Sequence, residues 1–152
     1  QRAAMAYYER YAVLAGDVKR PGHDPAKAGY ARFRYYAVAA EAEIYTSAEL
    51  AARLEPLVRD VPWLPELRVF LAYHAARVDA RRGLALAETA VRVAHEGRGK
   101  VAHVPTDEGM EWQAYRIAAG CAKFLGQKKR AHELAEMGIA AGGPSEAFEE
   151  KR

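Results

Sequence analysis

The chain has 152 residues, of which 51% are hydrophobic and 28% are charged, and its formal net charge is +3. This length and balance suit one globular domain with a real core, and they exclude a disordered chain. Basic side chains are spread over both halves of the sequence, so no block of charge reaches the size that nucleic-acid binding needs. No apolar run approaches the roughly 18 residues of a membrane span.

Apolar residues recur at helical spacing from the first residues onward, and no convincing strand pattern interrupts them. The spacing predicts a leader helix over residues 2–15, followed by three antiparallel hairpins over residues 24–61, 65–96 and 107–141. The tail over residues 142–152 is expected to fray.

Start and turn residues indicate where these helices begin and end. Asp24-Pro25 combines an N-cap acceptor with proline at the first helical position. Ser47 is expected to cap the next helix, and Pro56 to kink it or to shorten its regular part. Turns at Arg81-Arg82-Gly83 and Leu125-Gly126-Gln127 are expected to join the helices of the two later hairpins.

Each predicted hairpin exposes an apolar face that only a neighbouring hairpin could cover. Hairpins that stack and cover each other's apolar faces in this way form an α-solenoid. We therefore expect an all-α fold, a right-handed α–α superhelix of about seven helices without a sheet, as one helical-repeat domain over residues 1–152. Small residues in the second helices, Ala51, Ala87 and Ala131, are spaced by 36 and 44 positions, so any repeat is degenerate.

The sequence shows no constellation of residues that would carry catalysis. Cys121 is the only cysteine, which excludes an internal disulfide and a cysteine-based zinc site. No ligand spacing relates the five histidines, which are His23, His74, His95, His103 and His132. His74 lies on an apolar stripe and is interpreted as a core or interface histidine. We expect no enzyme, no metal, no cofactor and no small-molecule substrate.

Tyrosine is concentrated near the N-terminus, with seven of the nine within residues 1–45. Adjacent pairs cannot both face inward on one narrow stripe, and exposed tyrosine is favoured at protein interfaces. The sequence therefore predicts a partner-binding surface, made of Tyr7, Tyr8, Tyr11, Tyr35 and Tyr36. Packing of both rings of each pair against the leader helix is the alternative.

A second candidate surface is the basic start of the last helix, Lys128-Lys129-Arg130, together with Lys123. A solvated helix end is one interpretation of this cluster. Contact with RNA phosphates or with an acidic partner is the other.

Residues 115–144 have Gly126 at a tight turn, Ala131 five residues later, Met137, and a terminal Gly-Gly-Pro. In these features the segment resembles one tetratricopeptide (TPR) or pentatricopeptide (PPR) unit. The resemblance implies a helical module that binds protein or RNA, for example in an organellar ribosome or as a bacterial adaptor in the cytoplasm.

A longer segment, residues 31–99, is similar to cytochrome c oxidase subunit Va, an all-helical superhelix. The residues that carry this similarity are Ala31-Arg32-Phe33-Arg34-Tyr35-Tyr36, Ala48-Glu49-Leu50, Leu57-Val58, Leu64-Pro65-Glu66, Ala76-Arg77 and residues 91–99. The resemblance implies a non-catalytic, nuclear-encoded accessory subunit, peripheral on the matrix side of that membrane complex and in contact with its other protein subunits. The chain begins at Gln1 rather than Met, which a removed matrix presequence or a trimmed boundary would explain.

Overall fold

A computed structural model describes residues 1–17, 24–96 and 109–149. These residues form eight α-helices and one 3₁₀ turn, and they contain no strand. The elements are α1 Arg2–Gly16, α2 Pro25–Glu41, α3 Ser47–Leu54, α4 Leu57–Asp60, α5 Pro65–Ala76, α6 Ala80–Glu96, α7 Met110–Phe124, α8 Lys128–Ala140, and the 3₁₀ turn Ser145–Ala147.

The all-α class is confirmed, and each of the seven predicted helices is present in the described ranges. The third of them is divided at Pro56, which has no N–H to donate to the preceding turn, so α3 ends at Leu54 and α4 begins at Leu57. The start of the last hairpin at residue 107 lies outside the described residues. Contacts group the chain into two compact units, residues 1–62 and 63–152. The single domain and the right-handed superhelix stay predictions.

In the first unit, α2 starts where the sequence predicts. The Asp24 carboxylate accepts hydrogen bonds from the backbone N–H of Ala26 at 3.0 Å and of Lys27 at 3.4 Å. Helix α2 packs against α1, and the buried residues Ala12, Ala28 and Ala31 are small enough to let the two helices approach closely.

The cap of α3 is Thr46, not Ser47. The Thr46 hydroxyl accepts from the Glu49 N–H at 3.2 Å, and the Glu49 carboxylate accepts from the Thr46 N–H at 2.8 Å. This reciprocal capping box satisfies two backbone donors at once, which Ser47 cannot do because Glu49 lies only two residues after it.

In the second unit, α7 packs against both α5 and α6, and α8 packs against α7. One core cluster contains Ala72 of α5, Ala87 of α6, Ala118 and Ala122 of α7, and Leu134 of α8. Most of these side chains are small, so the helices contact each other mainly through short side chains and backbone.

The turn predicted at Arg81-Arg82-Gly83 is wrong, because the chain turns at residues 77–79 instead. The Asp79 carboxylate accepts from the backbone N–H of Arg81 at 3.0 Å and of Arg82 at 3.3 Å, and it thereby caps α6. Gly83 lies inside α6 where α5 crosses it, and a Cβ there would lie 2.5 Å from the Cα of Ala76. Glycine is needed at this position for close approach of two helices, not for a turn.

The turn between α7 and α8 is where the sequence predicts it. Gly126 has φ +78°, and the N–H of Gln127 donates to the carbonyl of Ala122 at 2.9 Å, as in a Schellman motif. Helix α8 ends in the same way at Gly142, with φ +100°.

The tail after Gly142 is expected to fray, yet its described part packs against α7 and α8. The Phe148 ring lies 6.5 Å from the Trp112 ring, measured between centroids. Gly138 and Gly143 make room for this ring, since a Cβ on Gly143 would lie 2.8 Å from Phe148 Cε2 and one on Gly138 would collide with the ring. The last residues, 150–152, lie outside the described residues.

Two glycine-to-alanine substitutions distinguish the steric effect of the α5–α6 crossing on stability from the effect of helix propensity. Gly83→Ala is expected to lower the free energy of unfolding by about 1–3 kcal/mol, because the new methyl group meets the α5 backbone. Gly120→Ala is the matched control, since no atom lies within 4 Å of its Cβ position. It should raise stability by about 0.5–1 kcal/mol through helix propensity. Urea unfolding measures the change in the free energy of unfolding for each variant. Equal changes for Gly83→Ala and Gly120→Ala would contradict the close α5–α6 contact at Gly83.

Candidate functional site

The predicted tyrosine surface has its most exposed part on α1. Tyr7 is 63% exposed and Tyr11 is 39% exposed, and their rings stack with centroids 6.2 Å apart. Leu14 follows three residues later and is 40% exposed. Residues spaced by four and three positions lie on one face of a helix. Tyr7, Tyr11 and Leu14 therefore form one apolar surface, which we call the α1 stripe.

Tyr8 belongs to a different face of the same helix. It is half-buried, and the guanidinium of Arg34 on α2 lies 5.9 Å from its ring centroid, a cation–π distance. The pair Tyr7-Tyr8 therefore has one ring directed to solvent and one packed toward α2. This division agrees with the expectation that both rings cannot face inward.

The second tyrosine pair is engaged inside the first unit. Tyr35 and Tyr36 are half-buried, and the Tyr36 ring lies 6.0 Å from the ring of Tyr45. A hydrogen bond with Tyr45, burial, and the negative charge of Glu9 raise the pKa of Tyr35 above its ordinary value. The structure thus gives these two rings packing contacts, and it does not bring them into the α1 stripe.

The three basic residues at the start of α8 point in different directions. Lys129 Nζ lies 4.0 Å from Glu133 Oε1 on the same helix. Arg130 pairs with Glu88 on α6, and this hydrogen bond and charge raise the pKa of Arg130. Lys128 instead lines a groove between α7 and α8. Only one of the three predicted residues is therefore available to a ligand at that groove.

The α7–α8 groove has a volume of about 700 Å³. Small side chains contribute much of its lining, and Phe148 lies at its wall. The small residues are Ala119, Gly120, Ala131, Ala135 and Ala147. Four basic side chains, Arg116, Lys123, Lys128 and His132, also line it, against one carboxylate from Glu149. Arg116 and His132 were not among the predicted partner-binding residues.

Helical spacing could have found those two residues. Arg116 and Lys123 are seven positions apart, and Lys128 and His132 are four apart, so each pair shares one helix face. What the sequence does not show is that the two faces meet across the hairpin. His132 Nε2 also lies 3.2 Å from Glu136 Oε1, so part of its positive charge, when protonated, is balanced within α8.

The remaining candidates for chemistry are Cys121 and the other histidines. In the described ranges, no three His, Cys, Asp or Glu side chains lie close enough to hold a metal ion. Burial raises the pKa of the Cys121 thiol, which disfavours the thiolate that nucleophilic chemistry requires. His95 Nδ1 lies 3.3 Å from Glu111 Oε1 and links α6 to α7. His23 and His103 lie outside the described residues.

His74 is buried on α5 beside two aromatic rings, Phe70 and Tyr73, as the core interpretation predicts. Burial, and next the positive charge of Arg77, hold its pKa below the ordinary value of 6.5. Among the described helices, none is both long and apolar enough to cross a membrane.

The depressed pKa of His74 predicts a loss of stability in acid. The unfolded chain binds a proton at this residue more readily than the folded chain, so stability is full above about pH 6.5 and falls as the pH drops toward the folded pKa. Urea unfolding at a series of pH values should show this slope, and His74→Gln should flatten it. A His74→Gln slope equal to that of the parent chain would contradict the assignment.

Comparison of the chain with protein-family models, with curated proteins and with solved structures found no match. The similarity of residues 31–99 to subunit Va and of residues 115–144 to TPR and PPR units therefore remains a prediction from the sequence.

Proposed function

We propose that this chain is a non-catalytic helical scaffold that holds a partner protein within a larger assembly, with the α1 stripe as its contact surface. The observation that carries the proposal is the concentration of exposed apolar side chains on one helix. Four of the ten large hydrophobic side chains exposed in the described residues lie on α1, and these are Tyr7, Tyr11, Val13 and Leu14.

The composition of the stripe is suited to a protein partner. Tyrosine rings offer large apolar area with few rotatable bonds, and their hydroxyl groups can hydrogen-bond at the edge of an interface. Arg10 lies three residues after Tyr7 and four before Leu14, so it borders the same face. Tyrosine and arginine are the residues most often found as energetic hot spots of interfaces. A partner with an apolar patch edged by carbonyl or carboxylate oxygens would match this surface.

The most specific form of the proposal is an accessory subunit on the matrix side of mitochondrial cytochrome c oxidase. The resemblance of residues 31–99 supports it. The alternative is a TPR- or PPR-like module that binds protein or RNA, and the resemblance of residues 115–144 supports that. Native affinity purification separates the two, because the first requires co-purification with a haem-containing membrane complex and the second does not.

Partner retention in that purification should depend on the α1 stripe. The double variant Tyr7→Ala, Tyr11→Ala is expected to lower recovery of the partner about tenfold or more, because truncated hot-spot residues each cost roughly 2 kcal/mol or more of binding energy. Thermal unfolding should change less than partner recovery, since Tyr7 is 63% exposed and Tyr11 is 39% exposed in the folded chain.

Tyr73→Ala is the matched control, because Tyr73 is 47% exposed but lies on α5. Its partner recovery should equal that of the parent chain. Unchanged recovery with the double variant, or equal loss with the control, would exclude the α1 stripe as the contact surface.

A further inference from the structure

The two hairpins of the second unit, α5–α6 and α7–α8, can be aligned residue by residue with a constant offset, which we call the register. Ala76 at the end of α5 and Phe124 at the end of α7 are 48 positions apart, and so are Ala80 and Lys128 at the starts of α6 and α8. Each hairpin has a three-residue connection. Residues 48 positions apart are therefore structural equivalents. This register pairs Ala131 with Gly83, whereas the sequence suggested Ala87, 44 positions earlier, as the residue that matches Ala131.

The first of these hairpins already holds a helix. Helix α7 contacts both α5 and α6 and places Ala114 and Ala118 among their small and apolar side chains. The residues that receive it include Val69 and Ala72 on α5 and Ala87 and Ala90 on α6. Short side chains on both partners let the helices approach closely, as ridges-into-grooves packing requires.

The α7–α8 groove is the equivalent surface of the second hairpin. Gly120 is the equivalent of Ala72, and Ala135 is the equivalent of Ala87. The floor of the groove is therefore also made of small residues. Gly120 is exposed, and no atom lies within 4 Å of the position its Cβ would take. Of the described tail, Ala147, Phe148 and Glu149 line the groove, and no described helix fills it. Phe148 of the tail packs on Gly138, the equivalent of Ala90, and so covers part of the corresponding seat. The part around Gly120 and Ala135 is left open by the described residues.

The two seats differ in charge. Ala75, Ala80 and Leu84 line up with three basic residues of the second hairpin, which are Lys123, Lys128 and His132. A fourth basic position is common to both, since Arg68 is the equivalent of Arg116. The apolar rim of the first hairpin thus corresponds to a cationic rim in the second, and among the described residues that line the groove Glu149 is the only carboxylate. The occupant of such a groove must bring negative charge.

We propose that the α7–α8 groove binds an acidic amphipathic helix of a partner protein. Its small residues would face Gly120 and Ala135, and its carboxylates would flank Lys128 and Arg116. A helix is favoured over RNA because the floor is made of short aliphatic side chains, whereas single-stranded RNA is held by aromatic platforms that stack on its bases. This site is separate from the α1 stripe, so its failure would leave the proposed function untouched.

The probe for this site is a fluorescein-labelled helical peptide with alanine along one face and glutamate on both flanks. Its control replaces every glutamate with glutamine. Fluorescence anisotropy with the full chain should show binding of the glutamate peptide about tenfold tighter than that of the glutamine peptide, and the difference should shrink with added salt. Absence of binding by the glutamate peptide, or equal binding of both peptides, would overturn the proposal.

Adjacent lysines provide a matched test of the groove. Lys128→Glu should weaken binding of the glutamate peptide about tenfold, because it reverses a charge that lines the groove. Lys129→Glu makes the same change one residue later, at a side chain that faces Glu133, and should alter affinity less than about twofold. Equal losses would show general attraction to a basic surface and would overturn the proposal.

A variant that fills the groove distinguishes binding of a helix from binding of single-stranded RNA. Gly120→Leu fills the floor without meeting any described atom at Cβ, so the fold should be retained, as circular dichroism would verify. It should abolish peptide binding with no change in charge. If a labelled single-stranded RNA binds, loses affinity with Lys128→Glu and is unaffected by Gly120→Leu, the groove binds phosphates and the helix proposal is wrong.

Discussion

Helices in this protein meet through alanine and glycine, and the rest of the structure depends on that close approach. Gly83 of α6 lies directly against Ala76 of α5, and alanines fill the centre of the core in the second unit. Contacts at such crossings are largely between backbone atoms, so they tolerate almost no added volume. Large side chains have little space at these crossings.

Features set by local chemistry could be predicted from the sequence. The cap at Asp24, the turn at Gly126 and the break at Pro56 each follow from the conformational preference of one or two residues. Gly83 was mispredicted because its position depends on a crossing helix, and glycine by itself indicates a turn just as well. The cap of α3 was misplaced by one residue because Thr46 and Ser47 are both good N-caps, and only the partner Glu49 distinguishes them.

The candidate surfaces were predictable only in part, for a related reason. Tyr7, Tyr11 and Lys128 were predicted from composition and clustering, and the structure places them in the α1 stripe and at the α7–α8 groove. The engagement of Tyr35 with Tyr45 was not predicted, because it joins α2 to a residue ten positions later in the loop before α3. The tail was expected to fray because chain ends are poorly ordered unless something holds them. Phe148 anchors the tail because Gly138 and Gly143 leave space for its ring. The sequence alone does not show that these three residues meet in the fold.

The two surfaces would be distinguishable in solution by their physics. Binding through the α1 stripe rests on burial of apolar area, which changes heat capacity and responds weakly to salt. Binding through the α7–α8 groove rests on charge that is largely solvent-exposed, which salt screens over about 10 Å at 0.1 M. A partner's salt dependence would therefore indicate which of the two surfaces it uses.

The burial of Cys121 has a practical consequence for measuring this fold. A single buried thiol near the end of α7 reacts with an alkylating reagent only when its surroundings open. Its labelling rate under native conditions therefore measures how often the second unit opens around the Cys121 sulfur, and no added probe is needed.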